Sequence, residues 1–424
     1  MVKTEKSVLV FIVFVLFLSL FASCAGNGAP SELQPFVNEQ AGEASPEPTL
    51  SPAPAPSPSP EPSPTPTPTP APEPEPSPAE TPAPAAETPE VRGIYVTANR
   101  AGSEEHIREL AEACAGSEIN AMVIDVRTEE GFVTFEGIGY ADALGISRGV
   151  IPDAGRLLEI LKENGIYPIA RLVAFKDANT HNIKPELYIK NQNGSLWKDP
   201  DGFPWLNPYD REACEFVLEI AKGAAELGFR EIQFDYVRFA AVASLDRADM
   251  GETGERTKTQ AIEDFLSLAM ETLRPYGVKV SADVYGTVIN SDVDAAIVGQ
   301  DYAAIAGIVD VICPMVYPSH YAPGSMGIDF PDLAPYDTIY RSMALSTERL
   351  SKIPAGSRKA TVRPWLQEFT ATWISPHLAY TWEERNRQIQ AAYDAGLSEW
   401  LLWNPRVNYA DLEKIIAKTD EGGQ

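Results

Sequence analysis

The chain has 424 residues, with 34 Lys and Arg against 60 Asp and Glu and a formal net charge of -26. That balance excludes nucleic acid as the partner, because phosphate binding needs a basic surface, and it excludes adhesion to anionic lipid by charge alone. The four cysteines form no CxxC pair and the four histidines form no HxH or HExxH motif, so a zinc or iron hydrolase is not expected. The sequence calls for no metal and no cofactor.

Lys3 and Lys6 precede an apolar run from Val8 to Phe21, and Phe21-Ala22-Ser23-Cys24 contains its end. Small residues before a cysteine at the end of such a run resemble the bacterial lipobox, with phenylalanine where leucine is commoner. The resemblance implies a signal peptide over residues 1–23, cleavage before Cys24 and a diacylglycerol on the Cys24 sulfur. It implies an exported protein, lipid-anchored at the cell membrane and facing outside. An ordinary signal peptide or a single membrane anchor is the alternative, although the run is short for a spanning helix. Residues 24–90 read as a linker. From Pro46 to Pro84 proline recurs at almost every second residue. Proline fixes φ and removes the backbone donor, so this tract is expected to be an extended spacer, roughly 3 Å per residue and on the order of 100 Å long.

Residues 91–424 alternate strand and helix signals. The first strand is predicted over Val91–Ala98, followed by a helix capped at Ser103 and running to Ala115. The second strand covers Ile119–Arg127, and a helix over Ile151–Asn164 stops at Asn164-Gly165. The third strand is Ile166–Phe175, then a helix over Asp210–Leu227. The fourth is Arg230–Tyr236, then a helix within Thr257–Pro275. The fifth is Val278–Asp283, then helix over Ser291–Ile305. The sixth is Ile308–Tyr317, then helix around Tyr336–Leu350. The seventh is Arg358–Leu366, then helix over Trp382–Ala395. The eighth is Trp400–Asn404, then a last helix over Tyr409–Ala417. Eight parallel strand–helix units predict a (β/α)8 TIM barrel in the α/β class. An open doubly wound sheet is the alternative, but no GxGxxG follows the first strand. Cys114, Cys214 and Cys313 fall within these elements and read as core thiols.

In such barrels the reactive groups sit at the C-terminal strand ends. Asp235 and Asp283 end the fourth and fifth strands, so two carboxylates share the mouth. Glycoside hydrolysis needs such a pair: a proton donor to the leaving oxygen, and a nucleophile or base. Asp235 is expected to be the nucleophile or base, held ionised by Arg238, and Asp283 the proton donor in a more apolar setting beside Tyr285 and Tyr317. The same ends carry Asp125, Arg127, Arg171, Arg238, Tyr285, Tyr317, His320, Trp365, Gln367, Trp403 and Asn404, all candidates for substrate contact. Aromatic planes pack on the apolar faces of sugar rings while polar groups bind hydroxyls.

Val91-Arg92-Gly93-Ile94-Tyr95, Ile124-Asp125-Val126-Arg127, Gln233-Phe234-Asp235-Tyr236-Val237-Arg238-Phe239, Pro314-Met315-Val316-Tyr317-Pro318 and Arg363-Pro364-Trp365-Leu366-Gln367 resemble motifs of the "Putative glycosyl hydrolase domain" family of bacterial exported proteins. The resemblance runs from about Val91 to Asn408, with the fourth-strand motif the most specific. Ala240 stands where members often carry proline. The resemblance implies a hydrolase barrel acting on a poly- or oligosaccharide of the envelope or surroundings.

Plainer readings stand beside these. Asp235 could pair Arg238 or Arg171 for structure alone, Asp283 could serve Ser281 or an arginine, and Asp125 could hold Arg127 or Arg171. Tyr317 and Trp403 could be core aromatics. Strand alternation puts Arg363, Trp365 and Gln367 on one face, leaving Glu368 as a reserve acid. The long loop from Lys176 to Tyr209 carries Trp197, Phe203 and Trp205 and reads as a folded binding loop. Its Asn193, Asp199 and Asp201 fit no EF-hand spacing. A catalytically silent sugar-binding or scaffold lipoprotein is the rival function. A Schiff-base aldolase ranks last, since Lys279 begins a strand and Lys176 lies in a polar loop.

Overall fold

The computed structural model describes residues 89–415. The expected signal peptide, Cys24 and the proline-rich tract lie outside them.

Eight parallel strands close into a barrel: β1 (Arg92–Val96), β2 (Ala121–Arg127), β3 (Tyr167–Val173), β4 (Glu231–Asp235), β5 (Lys279–Tyr285), β6 (Val311–Met315), β7 in two pieces (Thr361–Val362 and Trp365–Gln367) and β8 (Trp400–Trp403). Strands covered on both faces read as near-continuous apolar runs, and β2, Ala-Met-Val-Ile-Asp-Val-Arg, is buried at every position. Each strand pairs with its chain neighbour and β1 pairs with β8. The ring closes at Trp365, which pairs with Met315 on β6 and Leu401 on β8. β7 was expected to be continuous. Pro364 has no N–H to give to the ladder, and the strand splits there.

Side chains set the helix ends. Ser103, Asp153 and Asp210 accept from first-turn amides of the helices Glu104–Cys114, Ala154–Glu163 and Arg211–Leu227. Thr257 and Thr381 complete capping boxes with Gln260 and Glu384. Gly228, at φ 116°, supplies the left-handed stop after Leu227. Two expectations need correction. The helix expected over 291–305 is two, Asp292–Val298 and Tyr302–Ala306, broken by left-handed Gly299. In place of a helix from Tyr409, the described residues show one 3-10 turn, Leu412–Lys414. Arg385 takes the Ala410 and Asp411 carbonyls and Tyr409 Oη reaches the Tyr95 carbonyl, so these tertiary bonds replace a helical ladder. Cys114, Cys214 and Cys313 are free and buried.

The barrel floor is ionic. Arg363 donates to Glu231 and Glu399, both at 2.7 Å. Arg363 and Glu231 have no exposed side-chain surface.

Candidate active site

The ladder sets the mouth. Gln233 pairs with Ser281 and Phe234 with Ala282, and continuing that register sets Asp235 level with Asp283. On the other side Asp125 pairs with Arg171 and Arg171 with Gln233, so the Arg171 side chain emerges between the ends of β2 and β4.

Arg171 is the hub. Its Nε and Nη2 donate to Asp235 Oδ2 at 2.9 and 2.6 Å, its Nη1 to Asp125 Oδ1 at 2.7 Å and its Nη2 to Glu129 Oε1 at 3.0 Å. The sequence offered Asp235 two partners, Arg238 as the group that holds it ionised and Arg171 as the alternative; the structure selects Arg171. The reason is direction: Arg171 points inward beside Asp235, whereas Arg238 follows a turn and spends its Nη1 on the Phe239 carbonyl. Tyr236 makes that turn at φ 49°, a left-handed conformation that is strained for a bulky side chain and typical of functional sites. It brings the Tyr236 N–H back to Asp235 Oδ1 at 2.6 Å. Three N–H bonds therefore converge on the Asp235 carboxylate.

Asp283 sits differently. It is 2 % exposed, and its Oδ1 accepts from Trp365 Nε1 at 2.7 Å. Burial and the neighbouring Asp235 charge push its carboxyl well above the usual aspartate range. Burial raises the Tyr317 phenol, and the charges of Asp283 and Asp235 add to the rise. Asp125 accepts from Tyr95 Oη at 2.5 Å, and burial raises it as well.

The other predicted residues divide by what they touch. Tyr285 Oη is buried and has no partner among the described residues, and its ring lies 4.6 Å from the Arg238 guanidinium. Trp403 is half-buried, stacked on Tyr95 at 4.1 Å and edge-on to Trp365 at 5.6 Å. His320 is exposed at the rim, 5.1 Å from Tyr317 ring to ring, and its Nδ1 meets Ser319 Oγ at 3.0 Å.

Four candidates for substrate contact are occupied elsewhere. A bulge between Asp125 and Arg127 shifts the register, so Arg127 pairs with Leu172 and faces outward. There it binds Asp177 and the Val173 carbonyl and lies 5.5 Å from the Phe216 ring. Trp365, 1 % exposed, orients Asp283. Gln367 Oε1 accepts from Ser319 N and Oγ, and its Nε2 donates to Asp332 and the Phe369 carbonyl. Asn404 Nδ2 donates to Glu368 and to the Asn408 carbonyl, and its Oδ1 accepts from Arg406 N.

Glu368, the reserve acid, is pushed up to about 7 by burial, against Asn404 and Arg385. Its recorded partners are those two residues, the latter from the surrounding helix Trp382–Asp394, and they do not join it to Asp235. Sequence reasoning missed Tyr95 and Glu129 as partners in the Arg171 cluster. Tyr95 ends the first quoted motif and Glu129 follows a strand end, which is the one signal each carried.

The class defined by this fold and site is a (β/α)8 barrel with two carboxylates in unlike settings at its C-terminal mouth. The chain belongs to the family described as "Putative glycosyl hydrolase domain", whose model matches residues 93–409. It is 36 % identical to a hypothetical protein from Ruminiclostridium thermocellum, over 45 % of this chain and 97 % of that one, with a TM-score of 0.42. The PgaB (BpsB) glycoside hydrolase domain from Bordetella bronchiseptica is 14 % identical, over 77 % of this chain and 97 % of that one, with a TM-score of 0.57. A β-galactosidase from Marinomonas ef1 is 12 % identical, over 74 % and 54 %, with a TM-score of 0.51. At such identities these last two attest the barrel alone. No curated protein matches.

Proposed function

We propose that this protein hydrolyses glycosidic bonds in an extracellular or cell-envelope polysaccharide, with Asp235 as nucleophile or general base and Asp283 as proton donor. One observation carries the reading: two carboxylates level on adjacent strands, one clamped by three N–H donors and the other buried against an indole. In the reaction Asp283 gives its proton to the glycosidic oxygen as the C–O bond breaks. Asp235 either adds its carboxylate oxygen to the anomeric carbon, to be displaced later by water, or takes a proton from the water that attacks directly. Arg171 holds Asp235 and Asp125 in place, and the Tyr95–Trp403 stack offers an apolar face to a sugar ring.

A screen of envelope and plant polysaccharides tests the reading. Asp235→Asn should lower turnover on any substrate found by about a thousandfold or more, with sugar affinity retained. Cleavage by Asp235→Asn at the wild-type rate would overturn the assignment. Sugar binding without cleavage by the wild type would leave a silent binding protein.

The anchoring belongs to the same proposal. Residues 21–24 support processing at Cys24 and attachment to the outer face of the cell membrane. Cys24→Ala should stay unprocessed or leave the membrane fraction, as judged by fractionation and mass. A processed, detergent-requiring Cys24→Ala protein would count against the anchor.

A further inference from the structure

Beside Asp235 lie two cations that the acid–base pair does not use. Lys176 Nζ stands 4.2 Å from the Phe203 ring centroid and 5.2 Å from that of Tyr236. The Arg238 guanidinium stands 4.9 Å from the same Tyr236 centroid, 5.1 Å from that of Trp205 and 4.6 Å from that of Tyr285. Lys176 is 9 % exposed and Arg238 7 %. Among the described residues no carboxylate comes within 4.0 Å of either, whereas the more deeply buried Arg127, Arg171, Arg363 and Arg385 each hold one or more.

Buried charges are ordinarily paired, because desolvation costs more than aromatic contact returns. Two positive charges sharing one ring also repel. The charged groups that act on Lys176 include Asp199, Glu129, Arg238 and Asp201. Asp199 is committed to Trp205 Nε1 at 2.9 Å and to loop amides, and Glu129 to Arg171, while Asp201 is exposed to solvent and makes no ion pair with Lys176. Tyr236 follows Asp235, and Tyr285 is two residues beyond Asp283, so the cations border the place where the cleaved bond must lie.

We infer that Lys176 and Arg238 form a subsite for an oxyanion carried by the substrate, so that the polysaccharide is an acidic one, bearing a carboxylate, sulfate or phosphate on the sugar next to the scissile bond. This rests on the glycosidase reading above and names its substrate class. The anion supplies the missing counter-charge. The rings hold the cations in place and keep water from them. The protein's net charge of -26 repels acidic chains at long range. Salt at 0.15 M screens that repulsion beyond about 8 Å, so selection falls to the local pair.

The test is binding at 0.15 M NaCl by Asp235→Asn protein to matched glycans. The probes are galacturonan, glucuronan and alginate oligosaccharides, their carboxyl-reduced neutral counterparts, and sulfated and phosphorylated oligosaccharides. At least one acidic member should bind about tenfold or more tightly than its neutral counterpart, as expected for charge-assisted hydrogen bonds, and its identity separates carboxylate from sulfate and phosphate. Adding Arg238→Gln or Lys176→Gln should each reduce that ratio by about tenfold, while Arg238→Lys keeps part of it. A merely structural role would lower melting temperature and leave the ratio unchanged. Equal or stronger binding of neutral glycans overturns the subsite, and Asp235-dependent cleavage of one would leave the glycosidase reading standing. If no glycan of either kind is bound by the variant or cleaved by the wild type, both fall.

Discussion

The two ends of this barrel are built from the same parts and use them for different ends. At the floor Arg363 meets Glu231 and Glu399; at the mouth Arg171 meets Asp125, Glu129 and Asp235. The floor partners are 0–10 % exposed at the side chain, whereas the mouth grades from 3 % at Arg171 to 32 % at Glu129. A sealed ion cluster has nothing to do but hold strands together. A cluster that opens stepwise to solvent, beside an aspartic acid whose pKa burial raises and two cations with no ion-pair partner among the described residues, is arranged to receive something. Barrels place stability at the N-terminal face and chemistry at the C-terminal face, and here the contrast is visible in one pair of arginines.

The largest expected effect that separates them is on folding. Arg363→Met leaves Glu231 buried without a partner, and breaking a buried pair in this way costs about 3–5 kcal/mol. Arg171→Met should cost less stability, because Glu129 is already 32 % exposed and Asp125 and Asp235 keep the Tyr95 hydroxyl and the Tyr236 N–H, but should abolish turnover. Denaturant unfolding and activity measured on both variants would break the comparison if the ranking reversed.

Next in size is the pH dependence. Asp283 stays protonated in the folded protein at a pH where the unfolded chain has ionised it, so the unfolded state binds fewer protons. Stability therefore falls as pH rises from about 4, the ordinary aspartate value, through the raised value of Asp283. Glu368 acts in the same direction up to about 7. Asp283→Asn should flatten this slope and raise the melting temperature at neutral pH by about 2–4 °C or more, while removing the proposed proton donor. A slope unchanged in Asp283→Asn would place the burial cost elsewhere. Activity of the wild type should decline as pH rises through the same window.

The smallest effect is at the rim. Trp403→Ala should weaken oligosaccharide binding by up to about tenfold, the worth of one aromatic contact, and leave the floor and the melting temperature nearly untouched. Normal binding would assign the Tyr95–Trp403 stack to packing.

The sequence made the order of strands and the two aspartates legible, because apolar runs and strand-end carboxylates are local signals. Partners were less legible. Arg238 is near Asp235 in the chain and Arg171 was the alternative, but the choice between them needs the ladder register, which brings Arg171 from β3 beside Asp235. Arg127 shares strand parity with Asp125, yet one bulge turns it to the helices. Trp365 and Gln367 share the inward face as alternation requires, but alternation does not tell a residue that touches substrate from one whose bonds are already filled. The fourth case is Tyr236, whose left-handed backbone has no signature in an aromatic residue.

Trp365 joins two matters usually kept apart. It is the residue of β7 that pairs with both neighbouring strands, and its indole holds the Asp283 carboxyl. Loosening of β7 at Trp365 would therefore release the Asp283 carboxyl as well. Turnover is expected to be lost on heating no later than the pairing of β7, which activity and circular dichroism followed on one temperature ramp would check.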